Sequence, residues 1–156
     1  MSTMEDVAGI FARESPYLEC YVQLGVASDR VISVSFPGAP EDDAGDDHPL
    51  LDRIDAYLEG ERDAFENVTV ALTVPTDHRA VLGATREIPY GEQVTVERLA
   101  RRVATLDADD EGDHETVRAA LADNPAPLLV PDHRVRDAPG GAPPEVEQRL
   151  RSLEGL

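Results

Sequence analysis

The chain of 156 residues has one cysteine, Cys20, and no lysine at all. A lone cysteine excludes an internal disulfide framework and a cysteine-rich zinc site. No apolar run approaches the ~20 residues that a membrane-spanning helix requires, and no basic-then-apolar leader pattern opens the chain. Membrane and disulfide-rich secreted classes are therefore set aside. His48, His78, His114 and His133 include no i, i+4 pair and no H-E-x-x-H pattern, and the run Asp107–Asp113 is not followed by the glutamate position of a calcium loop. No metal, no cofactor and no internal repeat are expected.

What the chain has in excess is acid. Its 14 basic residues, all arginine, face 32 acidic ones, for a formal charge of −18. Such a balance ordinarily argues against nucleic acid, because phosphates need cationic partners. A salt-loaded cytoplasm offers another explanation, since at 1 M salt a Debye length of ~3 Å screens self-repulsion. The acid is spread along the whole chain rather than gathered in a tail, which favours that halophilic, cytoplasmic reading. Hydrophobic residues make up 41%, enough for a packed core of one domain or two small ones sharing a core.

Two alternating runs, Tyr17–Leu24 and Val31–Phe36, flank the turn-prone segment Gly25–Arg30 and predict a hairpin. Leu50, Leu51, Ile54, Tyr57 and Leu58 recur at helical spacing up to Gly60, and Val68–Leu72 reads as a third strand. From Arg79 the pattern turns helical. Thr95 can cap a short helix running through Arg102, with Val96, Leu99 and Val103 inward. Asp107–Asp113 reads as a solvated loop, and a second helix covers about Glu115 to Ala122. Pro127–Pro131 is strand-like and apolar, and a last amphipathic helix covers Glu145–Leu153. Two short helices joined by a turn, ahead of a buried strand, outline a helix-turn-helix. Charge is uneven: residues 1–78 hold 4 Arg and 17 acids, and residues 79–156 hold 10 Arg and 15 acids.

In the second half, Ile88-Pro89-Tyr90-Gly91-Glu92, Leu99-Ala100, Asn124-Pro125, Pro131-Asp132-His133-Arg134-Val135 and Leu153-Glu154-Gly155 follow one another in that order. This series resembles the methylated-DNA–protein-cysteine methyltransferases, the suicidal alkylguanine repair proteins, over about residues 49–156. The resemblance implies an α/β ribonuclease-H-like N-terminal domain at 1–75. It also implies a mainly α, winged-helix-like helix-turn-helix domain at 76–156 that binds DNA. The family motif is Pro-Cys-His-Arg-Val: the cysteine thiolate takes the alkyl group, the histidine acts through water as its base, and a distant glutamate orients the histidine. The corresponding positions are Asp132, His133 and Glu154, so the relay is kept and the nucleophile is not.

Other positions depart too. The base-rotating tyrosine is replaced by Val96, and the arginine that fills the gap left by a flipped base is replaced by Glu115. The turn between the two helices is enlarged by Asp107–Asp113, and the glycine-rich loop that helps form the alkyl pocket is shortened to residues 137–144. His133 reads first as a histidine bonded to Glu154 that pins the last helix. Asn124 reads as satisfying backbone groups of its turn, ahead of a role in the site. Arg98, Arg101, Arg102, Arg118 and Arg134 are candidate phosphate contacts, with an ion pair as the alternative for Arg134.

The resemblance therefore implies a catalytically inactive homologue that binds double-stranded DNA or alkylated guanine and works with another repair protein. A protein-interaction or regulatory module reusing the fold without DNA is the alternative. Residual alkyl transfer, or methyl-ester hydrolysis, at Asp132 is the third.

Overall fold

The computed structural model describes residues 9–28, 30–63, 65 and 67–156. Three antiparallel strands, β1 (Gly9–Ser15), β2 (Cys20–Ala27) and β3 (Arg30–Ser35), form a sheet in the order β1-β2-β3. Alternation sets its inner face: Val22, Leu24, Val26, Val31 and Val34 are buried. The expected hairpin is present as β2–β3, shifted by a few residues, with Ser28 at a φ of 51° in its tight turn. Asp29 of that turn lies outside the described residues.

The strand β1 was not legible in the sequence, because Arg13 and Glu14 interrupt its apolar alternation. Arg13 is accommodated by ion pairs to Asp52 at 2.7 Å and Asp55 at 2.8 Å. Those carboxylates belong to helix α1 (Pro49–Leu58), which starts at His48, whose Nδ1 accepts the Leu50 N–H at 3.1 Å. All five apolar residues that predicted α1 are buried. The expected strand at Val68–Leu72 is not one. Only Val70 bridges to Val31, through hydrogen bonds from Val31 N–H to Thr69 O and from Ala71 N–H to Val31 O, too few for a ladder.

Helices α2 (Thr76–Thr85), α3 (Val96–Arg101) and α4 (Glu111–Ala122) pack on one another, and α5 (Pro144–Glu154) closes the described elements. Thr95 caps α3, its Oγ1 accepting the Arg98 N–H at 3.2 Å. The acidic stretch expected as loop divides, and α4 begins inside it at Glu111. Asp110 is the N-cap, and acids in the first turn meet the positive end of the helix dipole.

The expected strand at Pro127–Pro131 is buried but is not a strand. Asn124 takes its backbone instead: Oδ1 accepts the Ala126 N–H at 3.0 Å and Nδ2 donates to Val130 O at 3.1 Å, while Leu128 has a φ of 82°. Val34 N–H donates to Pro125 O at 2.9 Å, which seats this turn against β3. Among the described residues an apolar core runs through both halves, from Leu18, Leu24 and Ile54 to Leu99, Leu129 and Leu150. Each such side chain, fully buried, contributes about 1.5–3 kcal/mol.

Candidate active site and DNA-facing surface

Asp132, His133 and Arg134 form one short 3-10 turn directly after the buried Leu128–Pro131 segment, and all three are buried. Their side chains part company at once. His133 and Arg134 turn toward Glu154 at the end of α5. His133 Nε2 lies 2.8 Å from Glu154 Oε2. Arg134 donates twice to the same carboxylate, from Nε and from Nη2, each at 2.8 Å, and from Nη1 to Ile88 O at 2.7 Å. Gly91 N–H donates to Glu154 Oε1 at 3.0 Å, and the hydroxyl of Tyr57 donates to Oε2.

Burial by itself would raise the Glu154 pKa, but the hydrogen bonds from His133 and Arg134 outweigh it and hold the carboxyl well below the usual range. Tyr57 is pushed up, by burial and by the facing carboxylate, and stays a neutral donor. Gly155, at a φ of 80°, ends α5 in the left-handed conformation just past Glu154.

Arg134, for which a phosphate contact and an ion pair were equal expectations, takes the ion pair and is an interior cation. Three of its five N–H donors go to Glu154 and Ile88, and its burial keeps the guanidinium from a phosphate in solvent. Tyr57, by contrast, had no signal as a site residue. Its place in the periodicity of α1 marks it as core, and nothing local says that its hydroxyl meets a residue 97 positions away.

Asp132 points the other way, into a corner made by Asn124 and the glycine loop. Its Oδ2 accepts from Asn124 Nδ2 at 2.9 Å and from Gly141 N–H at 2.8 Å. Gly140 lies against the carboxyl group: a methyl carbon at Gly140 would stand 2.6–2.7 Å from Cγ and both oxygens of Asp132. One at Gly141 would collide with the carbonyl oxygen of Asn124. Only glycine permits so close a strap.

The strap is tied at both ends. Gly140 N–H donates to Glu147 Oε2 of α5 at 3.0 Å, and Asp137 Oδ1 accepts the Val96 N–H of α3 at 2.7 Å. Burial, partly offset by the Gly141 and Asn124 hydrogen bonds, pushes the Asp132 pKa up to about 6. Asp132 Oδ1 and His133 Nδ1 are buried without a hydrogen-bond partner among the described residues.

A carboxylate so held is a poor nucleophile toward an alkyl carbon: one oxygen carries two donors and a glycine backbone covers the group. Cys20 lies half-buried in β2, its thiol pushed up by burial. Among the described residues no group of three or more His, Cys, Asp or Glu side chains is placed to hold a metal ion.

The helix pair presents two surfaces of unlike charge. On α3 the side chains of Arg98 and Arg101 are exposed, as is Arg102 just after it, while Val96 is buried. On α4, Glu115 is exposed with Glu111, and Asp109 and Asp110 stand exposed just before it; Arg118 is half-buried. The exposed side chain of Arg136, which the motifs did not single out, lines a cleft with Arg98 and Arg101.

The family model for the DNA-binding domain of 6-O-methylguanine DNA methyltransferase matches residues 76–155. A methylated-DNA–protein-cysteine methyltransferase of Methanopyrus kandleri is 32% identical over 129 residues, covering 80% of this chain and 93% of that protein. The one of Metallosphaera sedula is 28% identical over 131 residues, covering 81% and 80%. Among solved structures, Mycobacterium tuberculosis OGT in complex with DNA superposes with a TM-score of 0.72 at 22% identity, covering 93% of this chain and 91% of that one. This last likeness is one of fold.

Proposed function

The chain belongs to the 6-O-methylguanine DNA methyltransferase family, and from that premise we propose that it is an alkyltransferase-like DNA-repair protein that binds double-stranded DNA without accepting an alkyl group. The observation that carries this reading is the state of Asp132. It stands where the family has its acceptor cysteine, with Oδ2 bonded to Asn124 and Gly141 and the carboxyl covered by Gly140. Transfer needs a thiolate-like nucleophile with room for the leaving guanine, and a covered carboxylate in its place supports a reading without transfer. Binding is supported by the exposed arginines of α3 and by the DNA complex of the structural neighbour. Alkylated guanine as the preferred target, another repair protein as partner, and a high-salt setting are parts of the same reading. So is a ribonuclease-H-like unit at 1–75 ahead of a DNA-binding unit at 76–156, a division supported by where the family model begins.

The test pairs two measurements on the same samples. Duplexes with and without one O6-methylguanine are titrated by fluorescence anisotropy across a potassium chloride series, and the protein is then weighed intact. The expected outcome is binding that weakens with salt, tighter for the methylated duplex, with no mass change. A methyl-sized mass increase on Asp132, or loss of the methyl group from the DNA, overturns the non-transferring reading and favours ester chemistry at Asp132.

A second reading, a protein-interaction module, is favoured by the acids on the exposed face of α4. Glu115 replaces the arginine that would insert into the duplex, and would itself face phosphate repulsion. Absence of binding by the wild type, with weak binding gained by Glu115→Arg, selects that reading.

A further inference from the structure

We propose that Arg98, Arg101 and Arg136 form a cleft for a phosphodiester of duplex DNA, so that the chain docks through the outer face of α3 rather than through α4. The proposal rests on the DNA-binding reading above and adds where the backbone is held. The three arginines line a concavity of about 440 Å³ together with Gln93, Thr95 and Glu97.

Elsewhere five arginines are taken by carboxylates, Arg79 and Arg86 donate to backbone carbonyls, and Arg30, Arg102 and Arg118 stand apart from the cleft. Arg13, Arg53, Arg134, Arg149 and Arg151 form ion pairs at 2.6–3.1 Å. Among the described residues the side chains of Arg98 and Arg136 make no ion pair and no hydrogen bond, and Arg101 has only a loose contact with Glu97 at 3.8 Å. Convergence in one concavity, more than the lack of a partner, distinguishes this trio in a chain where acids outnumber arginines 32 to 14.

The walls of the cleft are fixed by the backbone. Val94 N–H donates to Arg134 O at 2.8 Å and Arg136 N–H donates to Val94 O at 2.9 Å. Asp137 then accepts the Val96 N–H, so the segment that leaves the site is bound to the start of α3. The cleft is thereby tied to the Asp132 turn four residues upstream of Arg136.

The donor set suits a phosphate. Guanidinium groups present paired N–H donors that match two phosphate oxygens. Thr95 Oγ1 already accepts the Arg98 N–H, which leaves its own O–H free to donate. Glu97 is the one carboxylate lining the cleft, and it opposes an anion. The exposed Asp109, Asp110, Glu111 and Glu115 repel one far more strongly along α4.

The test is anisotropy with a labelled duplex over a potassium chloride series, using the wild type, Arg98→Gln/Arg136→Gln, and a charge-matched control, Arg30→Gln/Arg79→Gln, away from the cleft. Thermal unfolding of each variant checks the fold. Removing two phosphate contacts is expected to reduce the slope of log K against log salt by about 1.8, at roughly 0.9 per contact, and the control is expected to keep the wild-type slope. Glu97→Gln is expected to tighten binding, a gain that misfolding cannot imitate. Wild-type binding whose slope is untouched by the cleft variant, or is equally reduced by the control, overturns the cleft and leaves DNA binding standing. No duplex binding by the wild type overturns both.

Discussion

Asp132 and His133 are consecutive, each about 1% exposed, and they belong to two regions with opposite histories of satisfaction. Around His133, the Glu154 carboxylate is surrounded by donors from α1, from the Ile88–Gly91 turn and from Arg134, and it is held ionised in the core. Around Asp132, two donors serve one oxygen, the other has none among the described residues, and burial pushes the group toward its neutral form. The first region is an interior ion-pair network that holds α5 and α1 together. The second is a corner where an acid sits under a glycine strap. Glu154, Arg134 and His133 thus have structural work in the core independent of any nucleophile.

The largest expected effect breaks the first region. Glu154→Gln leaves Arg134 as a buried cation without its counter-charge, and a loss of about 3–5 kcal/mol is expected in urea unfolding. A loss below about 1 kcal/mol would mean that the network is not what joins α5 to the core.

The next sharpens the contrast through pH. Asp132 titrates at about 6 in the fold against about 3.9 in an unfolded chain. The native state keeps its proton longer, so the Asp132 contribution to stability falls as pH rises from about 4 through about 6, by up to roughly 3 kcal/mol. Glu154, depressed in the fold, works in the opposite sense: its contribution is present above the unfolded carboxylate value and is lost as pH falls below it. Asp132→Asn is expected to remove the downward step, gaining on the wild type at pH 8 relative to pH 4. Parallel stability curves for the two proteins across that interval would count against a raised Asp132.

A smaller effect probes the strap. Gly140→Ala places a methyl carbon on the Asp132 carboxyl and should cost about 1–3 kcal/mol. Paired with Asp132→Ala it should cost less than the two single changes added, because the clash is gone. Strict additivity in a double-mutant cycle would show that the loop does not rest on Asp132.

How far the sequence carried can be judged element by element. The helix α1 was legible because five apolar residues share one face, and α3 because Thr95 caps it. The start of α4 was obscured by acids that look like solvated loop and that also suit a helix N-terminus. The strand β1 was hidden because Arg13, on the same face as Phe11, is neutralised by carboxylates about 40 residues away. Leu128–Val130 carries strand-like composition, yet Asn124 bends its backbone into a turn.

By itself the sequence determined what local order can encode: the succession of motifs that places the chain in its family, the amphipathic helices, and, as expectations, the pairing of His133 with Glu154 and Asp132 at the acceptor-cysteine position. Tertiary structure alone decided that Arg134 is an interior cation, that Tyr57 completes the shell of Glu154 from 97 residues away, that Gly140 and Gly141 close over Asp132, and that Arg136 meets Arg98 and Arg101. Periodicity and capping act within a turn or two of the chain, so they are written in neighbouring residues. Burial of a charge and closure of a loop depend on segments that meet only after the core has formed, and one dimension does not record which ones will.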